Sequence, residues 1–263
     1  MKNPVQAKKH LGQHFLVDPN IAHKIVDALS GTTHPVLEVG PGTGILTHLL
    51  LKRNFSHFVA IDLDIESIEF LKNQFPAHQE NFLYADFLKY DLKKLFGEED
   101  FNIIGNFPYN ISGPILFKVL DYCDHIEEVV GMFQKEVVER IVSAPGNKQY
   151  GILSVLLQAY FEVEMLFTVS NKVFVPPPKV QSAVLRLRRK KKAPEVDFPL
   201  FKDVVKTAFN QRRKTLKNAL KKFNFPNTID VNNMMLLRAE RLSFEDFIFL
   251  SNSIISIRDK HRK

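Results

Sequence analysis

The chain has 263 residues, of which 45% are hydrophobic, so it can bury a sizeable core and is not a disordered tail. The single cysteine excludes an intrachain disulfide, and the scattered histidines, without CxxC or HExxH, argue against a metal site. No apolar run reaches the roughly 18 residues that a membrane span needs. The net charge of +7 is uneven: residues 1–178 hold 15 Lys and Arg against 21 Asp and Glu, whereas residues 179–263 hold 21 against 8. This composition favours a cytoplasmic protein without a metal, whose last third either binds nucleic acid or forms a solvated basic helix face.

Apolar runs alternate with helical periodicity through the first half of the chain. Apolar residues at helical spacing follow Asp18 and Pro19, which predicts a helix over 18–30. Strands are predicted at 36–39, 58–62, 81–86 and 102–106, and helices at 44–53 and 65–75. This rhythm predicts a Rossmann-like α/β fold, in which helices cover both faces of a parallel sheet.

The second half changes character near a charged run. A strand is predicted at 126–133, helices at 135–142 and 150–159, and an alternating strand at 182–188. The run 188–194 is basic and ends in a proline, and the pattern from Pro199 onward is helical. We therefore predict an α/β domain over 1–192 and a small, basic, all-α domain over 193–263 that is a candidate to bind nucleic acid.

A glycine-rich loop connects the first predicted strand to the helix after it. From Glu38 to Gly44 the spacing is G-x-G-x-G, whereas a dinucleotide fingerprint needs its third glycine one residue later, where Ile45 stands. The observed spacing after an acidic strand residue is better suited to S-adenosylmethionine. Asp62 ends the second strand, where it can accept hydrogen bonds from a ribose diol, and Asp86 ends the third, where an adenine would bind. Ligands bind at this edge of open α/β sheets, although any one acid alone is explained equally well as a loop cap or a surface charge.

The segment Asn106-Phe107-Pro108-Tyr109 follows the fourth strand. An adenine amine is a poor nucleophile because its lone pair is delocalised into the ring, and two acceptors that hold its hydrogens favour a tetrahedral, reactive nitrogen. The side-chain oxygen of Asn106 offers one acceptor, and the backbone carbonyl of Phe107, restrained by Pro108, offers the other. Tyr109 offers a ring on which the base can stack. Unless it is an ordinary turn, this segment predicts methylation of an amine on a planar ring by alignment and electrostatics.

Several segments together resemble one known family. They are Lys8–Leu16, Glu38–Gly44, Asn106–Tyr109, Gln134–Val137, Val173–Ser182 and Phe209–Leu216. In this order they resemble the ribosomal RNA adenine dimethyltransferases of the small-subunit type. The resemblance implies that residues 1–192 form an S-adenosylmethionine-dependent methyltransferase domain and that the basic helical domain over 193–263 binds RNA.

The resemblance also implies a reaction and a set of site residues. Members of the family dimethylate the N6 amine of two adjacent adenosines near the 3′ end of small-subunit (16S) rRNA during small ribosomal subunit biogenesis, and S-adenosyl-L-homocysteine is the product. We expect a monomer that acts on rRNA within an assembling subunit, with Phe174 as a second aromatic wall for the target base beside Tyr109. The expected cofactor-binding residues are His14, Leu16, Glu38, Gly40, Gly42, Asp62, Asp86 and Asn106.

The chain departs from the family pattern at three positions. The family usually has asparagine where His14 stands, often glutamate at the position of Asp62, and more commonly leucine at the position of Phe107. Protonation of His14 would make cofactor binding sensitive to pH. These departures bear on the geometry of the cofactor rather than on the reaction.

Basic residues in the last third are candidates for contacts with RNA phosphates, and the alternative is a solvated helix face. They are predicted to share one helix and are Arg212, Arg213, Lys214 and Lys217. Two other functions stay open: a large-subunit rRNA adenine dimethyltransferase, and a non-catalytic RNA-binding assembly factor on the same fold. The segment Phe209–Leu216 favours the small-subunit type, and the intact glycine loop and Asn106 favour an enzyme.

Overall fold

The structure, a computed structural model, describes residues 5–30 and 33–260, with the side chains of 255–260 left undescribed. The chain forms two compact units, Met1–Val138 with Val163–Arg189 and Glu139–Glu162 with Lys190–Lys263. The outermost residues of both predicted domains lie outside the described residues. No helix in the described ranges is both long and apolar enough to cross a membrane.

The first unit is built on a seven-stranded mixed sheet. Its strands are β2 (Val36–Val39), β3 (Phe58–Asp62), β4 (Phe82–Tyr84), β5 (Phe101–Asn106), β6 (Ile126–Gln134), β7 (Phe161–Val169) and β9 (Ser182–Arg189). Their order is β4-β3-β2-β5-β6-β9-β7, and the pairs from β4 to β6 are parallel whereas β9 is antiparallel to β6. The Rossmann-like α/β fold predicted from the sequence is confirmed. Because β2 to β5 are parallel, their carboxyl ends lie at one edge of the sheet.

Helices of the first unit form where apolar spacing and capping agree. They are α1 (Pro19–Ala28), α2 (Thr47–Leu50), α3 (Ile65–Gln74), α4 (Lys93–Phe96) and α5 (Ser112–Asp121), and α6 (Lys135–Val142) follows β6 across the division between the units. Asp18 begins α1 by accepting hydrogen bonds from the amides of Asn20 and Ile21, at 2.8 and 3.3 Å, as the sequence predicts. The apolar face of α1 then packs in the core with the strands.

Several elements of this unit differ from the sequence prediction. The helix predicted over 44–53 is one α-helical turn, α2, because Gly44 adopts a left-handed φ of 81° and delays helix entry. Helix α5 was not predicted because its Gly-Pro pair resembles a break, but Pro114 lies in the first turn, where its missing N–H is not needed. Strand β7 was not predicted either, nor were the short strands β1 (Phe15–Leu16) and β8 (Phe174–Val175), which pair with each other.

The second unit is helical. Its helices are α7 (Ile152–Tyr160), α8 (Phe198–Asn210), α9 (Leu216–Ala219), α10 (Ile229–Met235) and α11 (Phe244–Lys260). Helices α7, α8 and α11 pack against one another, and the ring of Phe209 lies 5.9 Å from Phe247 and 6.2 Å from Tyr150. The division at residue 192 stays a prediction. The compact units differ from it in two places: residues 139–162 pack with the second unit through the apolar face of α7, and the second unit resumes at Lys190 rather than at residue 193.

Candidate active site

A cleft opens in the first unit at the carboxyl edge of the parallel strands. It is lined by the N-terminal segment 11–16, the glycine loop, the ends of β3, β4 and β5, and the turn after β5. The structure brings together in this cleft all the residues predicted for the cofactor and the catalytic segment: His14, Leu16, Glu38, Gly40, Gly42, Asp62, Asp86, Asn106, Phe107, Pro108 and Tyr109.

The glycine loop needs its glycines for conformation and for space. Gly40 and Gly42 have left-handed φ values of 71° and 55°, which side-chain-bearing residues rarely adopt. A Cβ on Gly42 would lie 2.9 Å from the ring of Phe15. A Cβ on Gly40 would lie 3.8 Å from the carbonyl oxygen of Asn106, in the space between the loop and the catalytic turn. The bare backbone therefore leaves a cradle beside Asn106 that a ligand can fill.

Glu38 is a buried carboxyl group at the base of the loop. It is 1% exposed, and the hydroxyl of Thr47 donates a hydrogen bond of 2.7 Å to its Oε2. Burial raises the pKa of Glu38 to about 8, against the opposing effect of the Thr47 hydrogen bond. The group is therefore mostly protonated at neutral pH and can donate as well as accept a hydrogen bond.

Asp62 and Asp86 lie at two neighbouring strand ends. The carboxylate of Asp62 accepts hydrogen bonds from the amides of Asp64, at 2.9 Å, and Gly42, at 3.4 Å. Burial raises the pKa of Asp62 to about 6 although both amides lower it, so this group is mostly ionised at pH 7. Asp86 accepts a hydrogen bond of 2.9 Å from the amide of Leu88, which shapes the loop on that side of the cleft.

Asn106 is oriented by the N-terminal segment. Its Nδ2 donates a hydrogen bond of 2.8 Å to the backbone carbonyl of His14, so the amide nitrogen is occupied and Oδ1 remains as an acceptor. The next two backbone carbonyls after Phe107 already accept hydrogen bonds. The carbonyl of Pro108 accepts from the amide of Ile111 at 3.2 Å, and the carbonyl of Tyr109 accepts from the hydroxyl of Ser112 at 3.1 Å. The carbonyl of Phe107 takes part in neither bond, so it can accept a hydrogen bond from a ligand.

The side chain of Phe107 faces the core rather than a ligand. It is buried, and its ring stacks on Phe133 with centroids 4.8 Å apart. Gly131 makes room for it, since a Cβ there would lie 2.1 Å from the Phe107 ring. Phe107 therefore contributes only its backbone to the cleft, so the aromatic departure from the family pattern is accommodated away from the reacting groups.

Phe174 does not lie in the cleft. It is 2% exposed and packs in the main hydrophobic core, with β8 paired to β1 so that Phe174 faces Leu16 across the ladder. The expected second aromatic wall is therefore not presented to a base in this structure. The reason is the pleat, because consecutive residues of a strand point to opposite faces and the core takes Phe174 while Val175 is exposed.

One group that holds the cleft together was missed by the sequence reasoning. The carboxylate of Asp64, buried at the start of α3, accepts hydrogen bonds from Lys8 Nζ at 2.6 Å and from Gln13 Nε2 at 2.9 Å. Although burial opposes ionisation, these bonds hold its pKa below the usual value. Asp64 thereby ties the N-terminal segment to the strand end that carries Asp62. In the sequence, Asp64 is marked only by its position two residues after Asp62, the acid that ends the strand. The apolar lining was missed as well: Leu63, Phe87, Leu88 and Ile111.

The sequence predicts that the four basic residues of the second unit share one helix, and the structure shows that they do not. Arg212, Arg213 and Lys214 lie in the turn after α8, and Lys217 lies on α9. The helix ends because the chain turns back to form a bridge between Thr215 and Arg238. Arg212 is engaged within the unit: its Nη2 donates to the carbonyl of Lys148 at 2.7 Å. The side chains of Arg213, Lys214 and Lys217 are exposed.

The sequence is similar to known proteins over almost its whole length. The model of the family described as ribosomal RNA adenine dimethylase matches residues 5–255. Two relatives named ribosomal RNA small subunit methyltransferase A are similar to almost the whole chain. The one from Cytophaga hutchinsonii is 54% identical, covering 95% of this chain and 98% of its own length. The one from Flavobacterium johnsoniae is 49% identical, covering 95% and 96%.

Solved structures show the same fold. A dimethyladenosine transferase from Plasmodium falciparum is 26% identical with a TM-score of 0.77, covering 94% of this chain and 98% of that one. The 23S rRNA methyltransferase ErmE is 24% identical with a TM-score of 0.67, covering 90% and 99%, and supports the fold alone. The family model and the relatives each span nearly the whole sequence. This chain belongs to the ribosomal RNA adenine dimethylase family.

Proposed function

We propose that this chain transfers methyl groups from S-adenosylmethionine to the N6 amines of two adjacent adenosines near the 3′ end of 16S rRNA, within an assembling small ribosomal subunit in the cytoplasm. The observation that carries the proposal is the orientation of Asn106, whose amide nitrogen is held by the carbonyl of His14 while its oxygen stays available beside the glycine cradle. The relatives named as small-subunit methyltransferases support the choice of small-subunit rRNA.

The residues of the cleft fit the cofactor. When bound, S-adenosylmethionine supplies an electrophilic methyl group on a sulfonium. The open backbone of Gly40 and Gly42 would admit its amino-acid end, and the carboxylate of Asp62 would accept hydrogen bonds from the ribose hydroxyls. Asp86, with the apolar side chains around it, would hold the adenine ring. Glu38, His14 and Leu16 complete the lining on the side of the glycine loop and the N-terminal segment.

Two acceptors on rigid elements would activate the target amine. Oδ1 of Asn106 and the carbonyl of Phe107 would each accept one N–H of the amine, which favours a tetrahedral nitrogen whose lone pair points at the methyl group. Tyr109 would stack on the base and exclude water from one side. No strong base is needed, because the nitrogen becomes acidic only after the methyl has arrived. Catalysis is then alignment and electrostatic stabilisation.

A second transfer to the same amine is compatible with this geometry. A monomethylated N6 keeps one hydrogen, so one of the two acceptors is enough to orient it. The other acceptor then faces the new methyl group.

RNA contacts outside the cleft would come from the second unit. Arg213, Lys214 and Lys217 are exposed and would contact phosphates, whereas Arg212 is committed largely to the carbonyl of Lys148. We propose that the protein acts as a monomer. The target adenosine must leave any stack to reach Tyr109, which costs less in a loop than in a duplex.

The test uses labelled cofactor with either unmethylated small subunits or naked large-subunit rRNA. Label recovered as dimethyladenosine from the small subunit alone is the expected result. Label only in large-subunit RNA would overturn the choice of substrate. Absence of transfer to both, with RNA binding retained, would show a non-catalytic assembly factor instead.

A further inference from the structure

The segment Val173–Ser182 matched the family pattern, yet its aromatic residue Phe174 lies in the core. The last residue of the segment, Ser182, instead contacts Tyr109, which lines the cleft. The hydroxyl of Ser182 is hydrogen bonded to the phenol hydroxyl of Tyr109, and either group can be the donor. This contact joins residues 73 apart in the sequence, and the proposed function gives Ser182 no role.

Ser182 is a fixed anchor. It is fully buried and begins β9, where its backbone is paired with Gln134 of β6. The amide of Lys135 donates to the carbonyl of the preceding residue, Gln181, at 3.0 Å, which extends the ladder by one bond. The Ser182 hydroxyl therefore has little freedom to follow Tyr109 if that ring moves.

The same segment also supports the ring of Tyr109 through a second contact. The ring of His14 lies 5.6 Å from that of Tyr109, tilted by 32°, and Nδ1 of His14 is 2.8 Å from the carbonyl oxygen of Pro176. Burial raises the pKa of Tyr109, so the phenol is neutral at physiological pH and can take part in the bond in either direction. Tyr109 is thus held at its hydroxyl by Ser182 and beside its ring by His14.

A tyrosine side chain turns about two bonds, and a hydrogen bond at the far end of the ring removes most of that freedom. The plane of Tyr109 sets the plane of a base stacked on it. The direction of the amine lone pair follows from that plane, and transfer is sensitive to small errors in alignment. We infer that Ser182 is a positioning residue, whose hydroxyl sets the ring plane of Tyr109 so that a stacked adenine presents its N6 amine to Asn106. This inference rests on the proposed function.

Four variants test the role: Ser182→Ala, Tyr109→Phe, the double variant, and Ser251→Ala as a matched control. Ser251 is likewise fully buried, but its hydroxyl donates within α11 to the carbonyl of Phe247 at 2.8 Å. We expect Ser182→Ala to lower kcat for small-subunit methylation about tenfold, a barrier change of about 1.4 kcal/mol. The cofactor KM and the cofactor Kd from calorimetry should change less than about twofold, since Ser182 is not among the residues that line the cleft.

The double variant separates positioning from a merely structural role. Because Ser182→Ala and Tyr109→Phe remove the same bond, the double variant should be no slower than the slower single variant. Ser251→Ala should keep its activity. Unchanged kcat in Ser182→Ala, losses that multiply in the double variant, or an equal loss of cofactor affinity would each overturn the inference. So would a loss of activity that merely tracks the melting temperature across all four variants.

A spectroscopic measurement keeps this test apart from that of the proposed function. The chain has six tyrosines, so incorporation of 3-fluorotyrosine gives six fluorine NMR signals, and the signal missing in Tyr109→Phe belongs to Tyr109. The Tyr109 signal should shift in Ser182→Ala and stay at its wild-type position in Ser251→Ala. No shift would overturn the inference directly. If Ser182→Ala shifts the Tyr109 signal but the wild-type protein methylates no adenosine, the bond exists and the proposed function is wrong. The bond would then have no catalytic meaning.

Discussion

The cleft of the first unit and the basic turn of the second, which comprises residues 212–217 and so includes the first residues of α9, hold their polar groups in different ways. In the cleft, Asn106 is oriented by the carbonyl of His14, and Asp62 accepts two backbone amides. In the turn, Lys214 and Lys217 are exposed. The contrast teaches that groups acting on one reacting atom must be fixed, whereas groups meeting a polyanion need only their charge. Substitutions in the cleft should therefore be severe and insensitive to salt, and those in the turn mild and sensitive to salt.

The largest effect is expected at Asn106. Asn106→Ala removes one of the two acceptors for the amine, and kcat should fall about 1000-fold, the scale of losing one preorganised polar group. Single-turnover assays with labelled cofactor measure the change, and binding to rRNA should stay within about twofold. As a matched control, Asn106→Asp keeps an acceptor oxygen but cannot donate to His14, so its loss should be smaller. An Ala variant within tenfold of the wild type would show that Asn106 does not act on the amine.

The glycine loop gives the next effect. Gly42→Ala would place a Cβ 2.9 Å from the Phe15 ring at a φ of 55°, so we expect cofactor affinity to fall between about tenfold and 100-fold, on the scale of 1–3 kcal/mol for an overpacked site. Gly97→Ala is the matched control, because its φ is also positive, at 61°, but a Cβ there meets nothing within 4 Å. It should lower the melting temperature through backbone strain and leave cofactor binding unchanged. Equal losses of affinity in the two variants would mean that strain, not space in the cleft, is responsible.

The pKa of Asp62, raised by burial to about 6, predicts opposite pH trends for binding and stability. Below pH 6 the group is neutral and accepts ribose hydrogen bonds less well, so cofactor affinity should weaken as the pH falls from 7 to 5, by up to about tenfold per unit. A raised folded-state pKa favours the folded protein at low pH. Relative to Asp62→Asn, the wild type should therefore lose unfolding free energy as the pH rises through about 6.

Calorimetry at several pH values separates Asp62 from His14. Asp62→Asn should bind the cofactor weakly at every pH. His14→Asn, which installs the residue usual in the family, should keep the wild-type pH profile. If the profile instead flattens in His14→Asn, His14 rather than Asp62 is responsible for the pH dependence.

The parts of the site that follow from local spacing were predictable from the sequence. The glycine loop and the residues at the ends of β2, β3 and β5 lie where alternating strands and helices predict them, because a parallel sheet brings those ends together. Contacts between distant segments were not predictable. Asp64 binds Lys8 and Gln13 from 56 and 51 residues away, and no local pattern marks such a pair. Phe174 shows the same limit, since its motif resembles the family but only the β1–β8 pairing decides which face it takes.

The smallest effects are expected in the basic turn, where the exposed lysines can be compared with the hydrogen-bonded Arg212. Lys214→Ala and Lys217→Ala should each weaken rRNA binding only about two- to fivefold at low salt, and their effects should multiply and fade as salt rises, because each removes about one phosphate contact. Their melting temperatures should not change. Arg212→Ala should instead destabilise the protein by about 1 kcal/mol, because Arg212 donates to the carbonyl of Lys148 within its own unit. Filter binding across a salt series and thermal melts measure both. If Lys214→Ala abolished binding at every salt concentration, this lysine would be a fixed recognition group like those of the cleft, and the distinction between the two regions would fail.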